Sequence, residues 1–169
     1  IWHHLGIGDS FICNGAVRHY AKQYKNIYLF YRDPYKEKTQ RLYQDLDNIN
    51  LIDGGVNEDN LAQLWEMTHP GVPLLKLRIH TMPPWKTVDK VFYDQANLPF
   101  DTKWSNFHFE RNLEREKEVY YDVLGLKDDE EYIFVHAATR DHNDLIPKDI
   151  PEGIKIIRPN NQEIDIYDF

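Results

Sequence analysis

Four short apolar runs alternate with three stretches of helical periodicity, and this alternation restricts the fold more than any other feature of the chain. The runs are Ile1–Leu5, Ile27–Tyr31, Ile49–Ile52 and Leu74–Ile79. Ile27-Tyr28-Leu29-Phe30-Tyr31 is apolar without a break, the pattern of a strand covered on both faces in a parallel sheet. Between the runs, Phe11, Ile12, Gly15, Ala16, His19 and Tyr20 recur at spacings of three and four. Leu42 and Leu46 mark a polar helix within Tyr35–Leu46, and Leu61, Leu64 and Trp65 another within Asn57–Met67. The order β-α-β-α-β-α-β predicts an α/β fold with a doubly wound parallel sheet.

Beyond residue 80 the pattern changes. Pro83-Pro84 excludes regular helix, Val88–Ala96 reads as a short helix, and Leu98-Pro99-Phe100 ends it. Asn112–Leu124 reads as a highly charged helix with Leu113, Tyr120, Val123 and Leu124 on its sparse apolar face, stopped at Gly125-Leu126. After the charged stretch Lys127–Glu131, Tyr132–Val135 is the strongest buried-strand pattern in the chain, and Ile154–Ile157 is a further strand. Asp165–Phe169 reads as the start of a helix. The expected division is therefore a domain over residues 1–126, including the charged helix as linker, and the opening of a second α/β domain over 127–169. The latter is too short for an independent core. It is expected either to pack on the first domain and its helix or to pair with a second copy through an apolar strand edge, giving a homodimer.

The chain of 169 residues carries 20 Lys+Arg against 28 Asp+Glu, a formal net charge of −8. That balance argues against nucleic acid or an anionic membrane surface as the main partner. A single cysteine, Cys13, excludes an internal disulfide and suits a cytoplasmic setting. No apolar run reaches the ~18 residues of a membrane span. The opening Ile1-Trp2-His3-His4 has neither an initiator Met nor a signal-peptide pattern, so the chain reads as a processed, engineered or partial reading frame.

Two segments carry residues suited to chemistry. Gly6-Ile7-Gly8-Asp9-Ser10 stands at a strand-to-helix turn, where glycines allow close backbone approach and free N–H groups face the ligand. Phe11 occupies the third glycine position of the dinucleotide fingerprint, which disfavours NAD. Asp9 reads either as a helix N-cap or as a cleft carboxylate that removes a proton from a hydroxyl. The second segment, His136-Ala137-Ala138-Thr139-Arg140-Asp141-His142, follows the strongest strand. A hydroxyl and a guanidinium at a strand's carboxyl end are the parts of a phosphate site, and an ordinary polar loop is the plainer alternative. The eight histidines lack metal-ligand spacing, so no metal site is expected. Cys13 reads as buried and inert. Trp85, Phe92, Tyr93, Phe100, Trp104, Phe107 and Phe109 read mostly as core, with part available as a stacking wall for a sugar.

Leu5-Gly6-Ile7-Gly8-Asp9, with Arg18 nine residues after the Asp, resembles the opening of GT-B glycosyltransferases of the heptosyltransferase type. Ile154–Pro159 and Ile164–Phe169 are similar to the following strand and helix of that family's second domain. The resemblance implies a Rossmann-like, acceptor-side first domain and a donor-binding second domain. It implies metal-independent transfer of a sugar from a nucleotide-diphosphate donor to a hydroxyl of a glycan or other acceptor, with no cofactor. Asp9 would be the general base, Gly6, Gly8 and Ser10 the backbone turn of the cleft, and Thr139 with Arg140 the holders of the donor diphosphate. Gly15 stands near where the family often carries a proline, and Lys148 is the nearest lysine to the phosphate loop. The alternative is a non-catalytic nucleotide- or sugar-binding α/β module.

Overall fold

The computed structural model describes residues 1–3, 6–55, 58–79, 84–135 and 150–158. It divides into two compact units, Ile1–Glu110 and Arg111–Phe169. The division thus falls before the charged helix, whereas the sequence reading set it after that helix, at 126/127.

The first unit runs β1 (Trp2–His3), α1 (Ile7–Ala21), β2 (Ile27–Tyr31), α2 (Lys36–Leu42), β3 (Ile49–Asp53), α3 (Glu58–Thr68), β4 (Lys76–Leu77), α4 (Val88–Gln95) and α5 (Thr102–Ser105). It is mixed α/β, with its strands paired in parallel. β2 pairs with β3 from Ile27↔Ile49 to Tyr31↔Asp53. β1 pairs with β4 at Trp2↔Lys76 and His3↔Leu77. These are two separate two-stranded ladders, not the single continuous ladder that the alternation predicts. Ile1 links them: its N donates to the Tyr28 carbonyl at 2.5 Å and its carbonyl accepts from the Phe30 N–H at 3.1 Å. β1 and β4 are shorter than the apolar runs that predicted them, and Pro73, which has no N–H to give a ladder, stands just before β4.

Apolar clusters form on the two sides of β1, as expected when successive strand residues point to opposite faces. Trp2 joins Phe30 and Ala62, while Ile1 packs against Cys13, Leu77, Phe92 and Ala96. The helix α1 is more deeply embedded than its periodicity suggests. Ser10 and every residue from Cys13 to Arg18 are buried, whereas Phe11, Ile12, His19 and Tyr20 are only half-buried. Gly15 explains how this is possible. A Cβ there would lie 2.6 Å from the Thr102 carbonyl, 2.8 Å from the Lys103 carbonyl and 2.9 Å from the Tyr93 hydroxyl. Only a residue without a side chain lets α5 sit against α1.

In the second unit Asn112 caps α6 (Leu113–Lys117), accepting from the Arg115 N–H at 3.0 Å. A π-helical turn continues it over Glu118–Val123. The wider turn moves the buried position to Val119, so Leu113 and Val123 are exposed, contrary to the apolar face expected from regular helical spacing. Gly125 ends the helix at φ +58°, and the Leu126 N–H closes the turn on the Tyr120 carbonyl at 3.0 Å, as the glycine stop predicts. The Lys155 ammonium donates to the terminal carbonyls of Leu124 and Gly125 at 3.0 and 2.9 Å, satisfying acceptors that the helix leaves open. Strands β5 (Tyr132–Phe134) and β6 (Lys155–Ile157) pair in parallel from Tyr132↔Lys155 to Phe134↔Ile157. The expectation of burial on both faces fails here. Val135 and Ile157 are buried with Val119 and Leu126, but Tyr132, Phe134 and Ile156 are exposed.

Candidate functional site

The turn after β1 begins with Gly6, whose extended backbone (φ −75°, ψ 150°) makes it the N-cap of α1. Its carbonyl accepts from both the Ser10 N–H at 3.1 Å and the Ser10 hydroxyl at 3.2 Å. The helix therefore starts three residues earlier than an Asp9 N-cap would place it. Asp9 is not the N-cap but the third helical residue, half-buried in the first turn. A carboxylate there still meets the positive end of the helix dipole, an interaction of roughly 0.3–1 kcal/mol.

The two glycines differ in what they do. A Cβ on Gly6 would stand 2.9 Å from Asp9 Oδ2, so the carboxylate folds back over the turn into space that glycine leaves free. A Cβ on Gly8 would meet nothing within 4 Å, so the backbone there is open to solvent. Asp9 and Cys13 lie one turn apart. Burial first, and the Asp9 charge second, push the Cys13 thiol well above its usual range, which leaves it a neutral, inert core group as predicted.

The ladders align the strand ends. Tyr31 is opposite Asp53 and His3 opposite Leu77, and extending the Ile1 hydrogen bonds by two residues sets His3 opposite Tyr31. His3, buried to 1 % exposure, lies at this edge. Beyond it, the Asp53 carboxylate accepts from the Gly55 N–H at 2.9 Å and closes the next turn.

Arg18, which carries part of the family resemblance, is not at this turn. It is buried along α1, donating to both Asp45 carboxylate oxygens at 2.7 Å, to the Leu42 carbonyl at 2.8 Å and from Nε to Asn14 Oδ1 at 3.2 Å. Its role is to hold α1 to the segment after α2. Asn14 Oδ1 also accepts from the His108 N–H at 3.1 Å, while the Asn14 Nδ2 is buried without a hydrogen-bond partner. Sequence reasoning missed Asn14 and Asp45 in this network. The signal was present only in part, as an arginine at an otherwise small and apolar helix position.

Thr139 and Arg140, and Lys148 with them, lie outside the described residues, so their relation to the Gly6–Ser10 turn is not part of this geometry. Of the aromatic patch, Phe92 and Tyr93 are core, but Trp85, Trp104 and Phe107 are exposed, contrary to the mainly buried patch expected. Phe11 contacts Phe107 and Phe109 at ring-centroid distances of 6.5 and 5.9 Å, two residues along α1 from Asp9. Among the described residues no helix is long and apolar enough to cross a membrane. No protein-family model, curated protein or solved structure matches the chain.

Proposed function

We propose that the chain belongs to a glycosyltransferase-like protein that moves a sugar from a nucleotide-diphosphate donor to a hydroxyl acceptor, with Asp9 as general base. The supporting observation is the strand arrangement. The pairings β3–β2 and β1–β4, with the Ile1 bonds between β2 and β1, are consistent with the order β3-β2-β1-β4 of a doubly wound sheet. In that order the chain reverses direction at β1, and ligands of open α/β sheets bind at the carboxyl end of that switch point. The turn following β1 is Gly6–Ser10, with its open backbone at Gly8 and the carboxylate of Asp9.

In this reading the Asp9 carboxylate accepts the acceptor's hydroxyl proton as that oxygen attacks the anomeric carbon. The anomeric C–O bond to the diphosphate breaks, and the nucleoside diphosphate departs with the bonding electrons. Thr139 and Arg140 donate hydrogen bonds to the leaving phosphates and neutralise their charge. The cytoplasmic setting and homodimer belong to the same proposal.

Asp9→Asn tests it. Donor binding, followed by titration calorimetry against a panel of nucleoside-diphosphate sugars, stays within about threefold, while release of nucleoside diphosphate in the presence of acceptor falls by roughly a hundredfold or more. Equal turnover by Asp9→Asn removes Asp9 as the base. Donor binding without turnover in either protein favours the non-catalytic binding module.

A further inference from the structure

The outer edges of the two ladders in the first unit are finished differently. The Trp2 N–H bonds to the Leu75 carbonyl, so Leu75 and Leu77 turn their main chain to β1, while Lys76 and Arg78 turn theirs outward. The Gln95 side chain meets Arg78 there as a neighbouring strand would. Its Oε1 accepts from the Arg78 N–H at 2.8 Å and its Nε2 donates to the Arg78 carbonyl. Among the described residues β3 has no such cover. The Ile27 N–H donates to the Asn48 carbonyl at 2.8 Å, and the Gly54 N–H to the Tyr31 carbonyl at 2.6 Å. In the register of this ladder, Asn48, Asn50, Ile52 and Gly54 therefore face β2, and the N–H and C=O groups of Ile49, Leu51 and Asp53 face outward.

We propose that the outer edge of β3 binds a short extended peptide as an added antiparallel strand, apolar at two alternate positions and basic at both ends. Added strands gain affinity from main-chain bonds and selectivity from pockets for alternate side chains. Such a pocket stands beside this edge, a cavity of about 150 Å³ lined by Gln40, Tyr43, Gln44, Leu46, Ile49 and Leu51. Ile49 and Leu51 also carry the outward main-chain groups, and their side chains share one face of β3. A residue paired opposite Leu51 projects its side chain to that same face. A space of this order holds a benzene-sized group. No charged side chain lines it, so an apolar residue suits the position.

The ends of the edge are acidic. Asp47 precedes β3 and Asp53 ends it, and both are exposed. Glu110 adds a third carboxylate, accepting from the cavity-lining Gln44 at 2.8 Å. The cations of this region are engaged elsewhere: Arg41 lies over the Phe109 ring at 5.8 Å and Arg18 is held by Asp45. Basic ends on the peptide therefore complement the edge. The same charges disfavour a second copy of this chain as the partner. Antiparallel pairing of two β3 strands sets the Asp53 end of each against the Asp47 end of the other, and like charges opposite one another destabilise a pair of strands. β3 carries no proline or lysine to blunt its edge, and its register is unbroken from Ile49 to Asp53.

The test titrates the 169-residue chain with acetyl-Lys-Thr-Leu-Thr-Ile-Thr-Lys-amide, which sets its lysines opposite Asp53 and Asp47 and its leucine opposite Leu51. In the free chain the amides of Ile49, Leu51 and Asp53 exchange fast, while those of Asn50 and Ile52, held by β2, exchange slowly. Saturating peptide slows the first three by roughly tenfold or more. Methylating the leucine nitrogen of the peptide, or replacing both its lysines by aspartate, weakens binding by roughly tenfold. Asp47→Lys weakens binding of the original peptide by roughly threefold, and aspartate at the peptide's carboxyl end restores it. Three results overturn the proposal. Protection of the Leu51 amide in the free chain at every concentration means that the chain itself covers the edge. Protection that rises with concentration, together with a dimer in sedimentation, means that β3 pairs with a second copy. Equal binding by the N-methylated or aspartate-ended peptide, or no binding at all, means that the edge does not recognise such a strand.

Discussion

The guanidinium of Arg18 grips the carboxylate of Asp45 with two bonds of 2.7 Å, and the arginine is only 6 % exposed. Two-bond geometry, backing from the Leu42 carbonyl and near-complete burial of one partner separate this pair from ordinary surface ion pairs. Asp45→Ala strands a buried cation, so it lowers unfolding free energy by roughly 2–4 kcal/mol in urea titrations. Replacing both, as Arg18→Met with Asp45→Leu, costs less than the single change.

The same pair sets an acid dependence. The Arg18 hydrogen bond, ahead of a smaller opposing effect of burial, holds the Asp45 carboxyl below its ordinary value. Its folded pKa lies below its unfolded one, so the unfolded chain binds the proton first. The contribution is present above about pH 4 and is lost as pH falls through the folded pKa. Asp45→Asn therefore flattens the stability profile below about pH 4 relative to wild type, measured by denaturant midpoint against pH.

Gly15→Ala tests the contact between α1 and α5. Alanine improves helix propensity by about 1 kcal/mol, yet its Cβ would meet backbone carbonyl oxygens at 2.6 and 2.8 Å, which cannot rotate away. Crowding wins, and the variant loses roughly 1–3 kcal/mol in equilibrium unfolding. A variant as stable as wild type would mean that α5 does not sit against this glycine.

Cys13 is fully buried and its thiol is held neutral. A water-soluble disulfide reagent leaves it unmodified in native buffer, and labelling appears with the urea unfolding transition. Stoichiometric labelling of the native chain within minutes contradicts this packing.

Gly125→Ala addresses the second unit. A non-glycine residue at φ +58° costs roughly 1–2 kcal/mol. Hydrogen exchange at Val119 accelerates accordingly, while exchange at Leu29 in the first unit is unchanged.

Much of the fold was legible because its determinants are local. The unbroken run Ile27–Tyr31 became β2 at the expected bounds, and Gly125 took the left-handed conformation that a helix stop requires. What escaped the sequence depends on neighbours far along the chain. Asp45 matters because Arg18 reaches it, Gly15 because α5 packs on it, and Tyr132 and Phe134 are apolar yet exposed on one face. The start of α1 was misplaced because a glycine pair reads as a turn, although the helix accommodates Gly8. The Gly6–Asp9 turn of the candidate site was legible as a motif. The division of its strands into separate two-stranded ladders was not, since pairing is a long-range property.

In the proposed transfer reaction, the Gly6–Ser10 turn receives a nucleotide-sugar donor or its acceptor. Amide chemical-shift mapping during titration with nucleoside-diphosphate sugars tests it most directly. Saturable shifts centred on Gly6, Gly8, Asp9 and Ser10 are the expected result. Shifts absent from this turn would contradict it.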